Sequence, residues 1–225
     1  MEPLDNPAWH ALTGPQARFA EGNGLARRYQ PDVAGFAAVS DEQPPDAWDA
    51  LRGLVGPQTG TVLFRADGLA VPAGWTDRLR LPTLQMVARA PIGEPDAAFE
   101  TLGDGDAPEM LELVARTRPG PFFARTHALG TYLGLREGGH LVAMAGERMH
   151  LPGHTEISAV CTDERARKRG LATRLIRAVA AGIEGRAETA MLHVLASNDT
   201  AIRVYEALGF DTRVAFDVVI LESPQ

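Results

Sequence analysis

From residue 106 onward the apolar positions fall into a legible alternation of helical and strand periods. Asp106-Ala107-Pro108-Glu109 supplies a helix start: an acid at the cap, a proline in the first turn and an acid at N3. Met110, Leu111, Leu113 and Val114 then form one face, and Pro119-Gly120-Pro121 stops the helix. Residues 131–135 read as a strand, Gly138-Gly139 as a hairpin turn, and residues 141–148 as the returning strand. Pro152-Gly153 turns the chain again, into a third strand over 156–162. Leu171, Leu175, Val179 and Ile183 recur every four residues with Ile176 beside them, which predicts a long helix. Residues 191–195 form a short strand. Residues 198–208 form a helix with Ala201, Ile202, Tyr205 and Leu208 inward, and Gly209 stands where a left-handed C-cap belongs. Residues 214–221 close the chain as a last strand.

The order α-β-β-β-α-β-α-β predicts an α/β fold, a mixed sheet with helices on both faces. The first hundred residues are less regular. Short elements are suggested at 12–19, 48–54 and 62–64, but they do not order themselves into a sheet. The turn-rich Gly103-Asp104-Gly105 cluster marks a boundary, dividing the chain into a divergent N-terminal lobe, 1–103, and a C-terminal domain, 104–225.

Composition narrows the function classes. The chain has 225 residues, of which 45% are hydrophobic and 23% charged, the mix of an ordinary globular protein. Its formal charge of −7 argues against nucleic acid as a partner, because such binding needs a basic face. Residues 165–177 run against that average with six basic side chains and no acid, a local anion site. The single cysteine, Cys161, excludes an internal disulfide and suits a reducing compartment. The first residues lack the features of a secretory leader and no apolar run has the length of a membrane span, so a cytoplasmic location away from membranes is expected.

The strongest chemical signal is the passage from strand through basic loop to helix. In Val160-Cys161-Thr162-Asp163-Glu164-Arg165-Ala166-Arg167-Lys168-Arg169-Gly170-Leu171-Ala172, a helix starting near Gly170 offers unpaired amides and a positive dipole end to an anion. Gly170 lets backbone and phosphate approach closely. Arg167 and Arg169 add charge. Gly170 is followed by Leu171 rather than Lys-Ser or Lys-Thr, which excludes the Walker loop, and no Gly-x-Gly-x-x-Gly is present.

That loop, with the preceding strand Glu156-Ile157-Ser158-Ala159 and the later Asn198-Asp199-Thr200-Ala201-Ile202-Arg203-Val204-Tyr205-Glu206-Ala207-Leu208-Gly209-Phe210, resembles the GNAT superfamily of N-acetyltransferases. The similarity covers about residues 106–225. It implies a mostly antiparallel mixed sheet in which two parallel strands, here 157–162 and 191–195, splay to admit the pantetheine arm of CoA. It implies acetyl-CoA as acyl donor and a primary amine of a small molecule, amino acid or peptide as acceptor. Backbone groups along Val160, Cys161 and Thr162 would meet the arm, amides of Arg167, Lys168, Arg169, Gly170, Leu171, Ala172 and Thr173 would hold the pyrophosphate, and Asn198 would hydrogen-bond the arm. Tyr205 would face the cofactor and protonate the departing thiolate. Glu156, at the start of the splayed strand, is the candidate base, directly or through a water, since an alkyl amine of pKa about 10 must shed a proton. The Val160 amide is a candidate oxyanion donor.

The family often has Pro where Glu164 stands and Gly where Lys168 stands, so the Lys168 side chain must point outward. Residues 117–127 would wall the acceptor, with Arg118 or Arg125 available to a carboxylate. The N-terminal hundred residues would form a degenerate second lobe over this opening. A homodimer is compatible with the resemblance. Cys161 with His193 as nucleophile and base is the weaker idea, because a lone strand cysteine is usually a small core hydrophobe. His150 and His154 flank Pro152-Gly153, which forbids a shared helix face, so no metal is expected. The rival functional class is a CoA-binding sensor without turnover.

Overall fold

The computed structural model describes residues 2–66 and 68–225. Its main body is an eight-stranded sheet. In chain order the strands are β4 (Gly60–Leu63), β5 (Thr76–Ala88), β6 (Glu100–Leu102), β7 (Tyr132–Glu137), β8 (His140–Leu151), β9 (His154–Thr162), β10 (Thr189–Leu195) and β11 (Phe210–Glu222). They lie side by side as β4-β11-β5-β10-β9-β8-β7-β6, all antiparallel except the β9–β10 pair. Five helices cover it: α1 (Pro7–Thr13), α2 (Pro45–Val55), α3 (Ala107–Thr117), α4 (Leu171–Gly185) and α5 (Asp199–Leu208). A second, three-stranded sheet of β1 (Ala20–Gly22), β2 (Ala26–Tyr29) and β3 (Ala37–Val39) joins the main one through a bridge from Phe36 to Val62. No helix among the described residues is long and apolar enough to cross a membrane.

Strand alternation sets the layers. Ala143, Ala145, Ile157, Ala190, Leu192 and Val194 face α4, whose Leu171, Leu175, Ile176, Val179 and Ile183 are buried against them. The alternate positions face the other way. Met144 and Cys161 pack on Met110 and Leu113 of α3, while Met149, Leu151 and Met191 lie under α1, Tyr29 and Phe36. Helices therefore stand on both faces, as the order of elements predicts.

The boundary expected at residue 103 does not divide two sheets. β5, from the N-terminal half, lies between β10 and β11 and pairs with both, from Met191↔Val87 to Leu195↔Thr83 on one flank and from Phe210↔Ala88 to Glu222↔Thr76 on the other. Only residues up to α2 give no strand to the main sheet, and their apolar side chains share cores with it. The strand β5 escapes a local pattern search because its alternation changes phase, with Leu79 and Leu81 on odd positions and Leu84 and Met86 on even ones, and Pro82 between them demotes a strand. Pro82 is tolerated because the β10 ladder ends at Thr83, and on that flank Pro82 contributes only its carbonyl, which accepts from the Ala196 amide at 2.8 Å.

Removing residues 1–103 should therefore leave β10 and β11 without the strand that joins them. Residues 104–225 expressed alone should show no cooperative urea transition by circular dichroism, whereas the full chain should show one.

Candidate active site

β9 and β10 hold together over only three rungs, His154↔Thr189, Thr155↔Ala190 and Glu156↔Met191. Beyond Glu156 they part, because β10 stays with β5 to its end while β9 stays with β8. The departure is helped by a bulge. Between Gly146↔Ser158 and Met144↔Cys161 the register slips, and Ala159 takes a left-handed φ of 52°. A bulge of this kind bends its strand and re-aims the neighbouring groups. Ser158, Ala159, Val160 and Thr162 are half-buried along the opening. Nothing in an alanine announces positive φ, so the bulge has no sequence signal.

At the end of β9 the chain makes a tight loop. Asp163 accepts a hydrogen bond from the Arg165 amide and caps the 3-10 turn at Glu164–Ala166, and Ala166 is buried as its anchor. Lys168 (φ 63°) and Gly170 (φ 74°) then both adopt left-handed backbone before α4 begins at Leu171. The positive φ at Lys168 accounts for the glycine common there in the resembling family, and its side chain is exposed, pointing outward as required. The first amide tied into α4 from outside is that of Arg174, which donates to the Gly170 carbonyl. Amides of residues 168–173 have no partner among the described residues. Successive free N–H groups in such a turn, at a helix start, form an anion-binding concavity. A Cβ placed on Gly170 would meet no atom within 4 Å, so the space above it is open.

The basic cluster is smaller than its composition suggests. Arg169 is held by Glu137, Arg174 by Asp96 and Arg177 by Glu94, at 2.6, 2.7 and 2.8 Å. Among the described residues Arg165, Arg167 and Lys168 form no ion pair within 4 Å, and they keep the local positive charge. Across the opening, Asn198 caps α5, its Oδ1 accepting from the Ala201 amide at 3.1 Å. Only its amide nitrogen remains for a ligand. Ala201, Ile202, Val204 and Tyr205 are half-buried, so α5 lays an incompletely covered apolar face against the core on the α4 side of the sheet. Burial raises the Tyr205 phenol above its ordinary value, keeping it protonated.

Glu156 stands at the vertex where the strands part, and it is wholly buried. Arg148 on β8 grips both its oxygens, at 2.8 and 2.5 Å, and His193 on β10 donates from Nδ1 at 2.7 Å. The chain of contacts continues across the sheet. Nε2 of His193 lies 3.1 Å from the Gln85 amide nitrogen on β5, and Arg213 on β11 donates to Gln85 Oε1 at 3.0 Å. Five adjacent strands thus contribute one polar side chain each. Phe64 and Phe216 meet the His193 ring edge-on, and the Arg148 guanidinium lies 4.9 Å above Phe36. Burial pushes the Glu156 carboxyl up, but the charges and hydrogen bonds of Arg148 and His193 outweigh it and bring it down to about 2.

This corrects the base assignment. A general base works best with a pKa near the operating pH, and its lone pairs must reach the substrate. Glu156 meets neither condition.

Cys161 is buried against α3, and burial takes its thiol up to about 11, which leaves no thiolate for nucleophilic attack at neutral pH. On the α3 side, the expected acceptor wall is tied to the N-terminal lobe. Arg125 pairs with Asp32 at 3.1 Å, Thr126 donates to the Val33 carbonyl at 2.7 Å, and Phe123 lies against Gly35. Arg125 is thus committed, whereas Arg118 makes no such contact among the described residues. A polar cleft of about 640 Å³ opens beside the loop that precedes α4, between α3, the β7–β8 hairpin and residues 163–167.

Comparison with known proteins agrees with this geometry. A family model described as FR47-like protein matches residues 132–218. A solved protein of the GNAT family from Novosphingobium aromaticivorans DSM 12444 is 40% identical over 100% of both chains, with a TM-score of 0.91. A GCN5-related N-acetyltransferase from Kribbella flavida is 21% identical, covering 97% of this chain and 94% of that one, at a TM-score of 0.63, a likeness of fold. No curated protein matches the chain by sequence. The chain belongs to the GNAT acetyltransferase family.

Glu156→Gln should unfold the protein more readily, because a buried Arg148 would lose its counter-charge. Urea titration should show a loss of about 3–5 kcal/mol. Arg148→Met with Glu156→Leu, which removes both charges, should recover most of it.

Proposed function

We propose that this chain transfers the acetyl group of acetyl-CoA to a primary amine of a small molecule, amino acid or peptide. The observation that carries the proposal is the adjacency of two features: a parallel strand pair open beyond Glu156↔Met191, and a row of unpartnered amides at residues 168–173 where β9 leads into α4. A diphosphate fits the amide row with Arg167 and Lys168 beside it, and an extended amide-bearing arm fits the unpaired edge of β9.

When bound, acetyl-CoA supplies an activated acyl group that an amine can attack. The residues of the chain then divide the remaining work. The Val160 amide, just past the bulge, is placed to stabilise charge developing on the carbonyl oxygen. The half-buried Tyr205, its phenol protonated, delivers a proton to the departing sulfur. The Asn198 amide nitrogen donates to the arm. With Glu156 committed to Arg148, the amine reacts from its neutral fraction, about 0.1% at pH 7 for a pKa near 10.

Two measurements test the proposal. Gly170→Ala meets no protein atom and costs only the left-handed backbone, about 1 kcal/mol, yet its methyl enters the open space above the amides. Calorimetry should show acetyl-CoA binding weakened at least ~10-fold, and unchanged affinity would remove the phosphate site.

Tyr205→Phe should lower kcat for amine-dependent thiol release about 100-fold with little change in acetyl-CoA affinity. In the wild type, kcat/KM for an alkyl amine should climb about tenfold per pH unit from 6 to 9, since neither Glu156 nor Tyr205 titrates in between. Acetyl-CoA binding with no thiol release on any amine would instead identify a non-catalytic binding module.

A further inference from the structure

A cofactor held by its diphosphate at the start of α4 would fill the splay with its arm, so an amine must reach the acyl carbon from the opposite face of the sheet. That face is the one covered by α3. There the bulge residue Ala159 shares a cluster with Phe122, which belongs to the segment that follows α3. Residues 118–122 therefore border the opening on the side from which an acceptor comes. Their placement rests on two ends. At the first, the Arg118 amide caps α3 by donating to the Val114 carbonyl at 2.7 Å. The second is a tie at residues 123–126, made to the N-terminal half of the chain.

Thr126 is the centre of that tie. It is buried, and its hydroxyl accepts from the Phe123 amide and donates to the Val33 carbonyl, both at 2.7 Å. Beside it the Arg125 amide donates to the Asp32 carbonyl at 2.8 Å, and the Arg125 guanidinium pairs with the Asp32 carboxylate at 3.1 Å. Asp32, Val33 and Gly35 belong to the connector between β2 and β3. The Phe123 ring lies on Gly35: a Cβ there would stand 3.3 Å from Cζ and 3.8 Å from Cε2, and would meet nothing else within 4 Å. The connector is itself fixed to the main sheet. Val62 of β4 donates its amide to the Gly35 carbonyl at 3.3 Å, and the next residue, Phe36, lies under the Arg148 guanidinium that grips Glu156. One short segment thus touches both the vertex of the splay and the wall beyond it.

We infer that the β2–β3 connector sets the acceptor wall, with Thr126 and Gly35 as positioning residues that fix Phe122 and Phe123 beside the opening and so govern how the amine is bound. This rests on the acetyl transfer proposed above. Neither residue touches the reacting atoms, and the amide row at residues 168–173 belongs to the helix on the opposite face, so cofactor affinity is independent of them. A wall displaced by a few tenths of an ångström weakens the hold on the acceptor and leaves the chemistry of the bound amine as it was.

The test uses the full chain, with n-propylamine, glycine and a tripeptide with a free amino terminus as acceptors and thiol release from acetyl-CoA as the readout. Gly35→Ala is the sharper variant. Gly35 lies outside the left-handed region, so alanine adds no backbone strain and removes no hydrogen bond, and its methyl presses only on the Phe123 ring. Its expected results are a thermal midpoint within a few degrees of the wild type, an unchanged Kd for acetyl-CoA, and a tripeptide KM raised about fivefold with kcat within about threefold. Thr126→Val, which keeps the branched shape and removes both hydrogen bonds, should raise that KM about tenfold, and Thr126→Ser should bring it back to within about twofold. A Thr126→Val protein with a lower midpoint and an unchanged KM would show a tie that only stabilises the fold, and overturns the inference. So does an unchanged KM in Gly35→Ala, which decides alone where Thr126→Val does not fold. A weakened Kd for acetyl-CoA in Gly35→Ala overturns it as well, since the connector would then act on the cofactor. A wild type that binds acetyl-CoA but releases no thiol with any of the three acceptors defeats the acetyl-transfer proposal and this one with it. An active wild type whose variants keep its KM defeats this one alone.

Discussion

The opening depends on which neighbour β10 keeps. A strand has two flanks, and over Leu192–Leu195 β10 spends one on β5 and leaves the other unpaired. In a single sheet an unpaired edge next to a potential partner would normally close, because each rung adds hydrogen bonds and side-chain contact. Two things prevent this. The β5 ladder pins β10 from Met191 to Leu195, and the bulge at Ala159 turns β9 away toward β8. The left-handed backbone at Ala159 costs about 1–2 kcal/mol, and it persists because the flanking ladders over-determine it. An insertion from the N-terminal half is therefore not an ornament on a C-terminal domain. It is the strand that keeps the splay open.

The Arg148–Glu156 pair makes the same point in electrostatic terms. Taking two charges out of water is expensive, and apolar replacements of similar volume often stabilise a fold. The pair nonetheless stands at the last rung before the strands part. There it fastens β8 to β9, His193 fastens β9 to β10, and Gln85 and Arg213 carry the connection on to β5 and β11. Polar side chains demand specific partners where aliphatic ones accept many, so a row of this kind fixes register across strands whose ladders are interrupted by bulges. The same commitment that fixes the register withdraws Glu156 from proton transfer.

Much of the C-terminal half was legible because its functional positions need particular residue types. Gly170 and Gly209 occupy left-handed backbone, Asn198 caps a helix, and the four-residue spacing of Leu171, Leu175, Val179 and Ile183 requires a helix with one buried face. Each is a local demand met by local sequence. β5 was not legible, since its assignment rests on partners more than a hundred residues away and its own segment carries Pro82 and several charges. Glu156 was visible as a carboxylate near the right strand, but its partners were not. Arg148 faces it because it follows Glu147 by one residue in the register set by Glu147↔Ile157. Register is a property of the pair of strands, and neither sequence states it alone.

In the loop before α4, composition and structure describe the same positive corner by different routes. Six basic residues in thirteen suggest a site built on charge, yet half of them are neutralised by Glu137, Asp96 and Glu94. Two of those acids lie on the segment after β5 that straps α4, so Arg174 and Arg177 hold the helix in place rather than contact a ligand. What remains is mostly backbone: six amides presented by two left-handed residues at a helix start. Backbone donors are fixed by the fold and lose no side-chain entropy on binding, whereas flexible cations do. In a chain of net charge −7, an anion site of the proposed kind would rest on amide geometry, with Arg165, Arg167 and Lys168 supplying only the local field, and would not need the broad basic surface that nucleic acid requires.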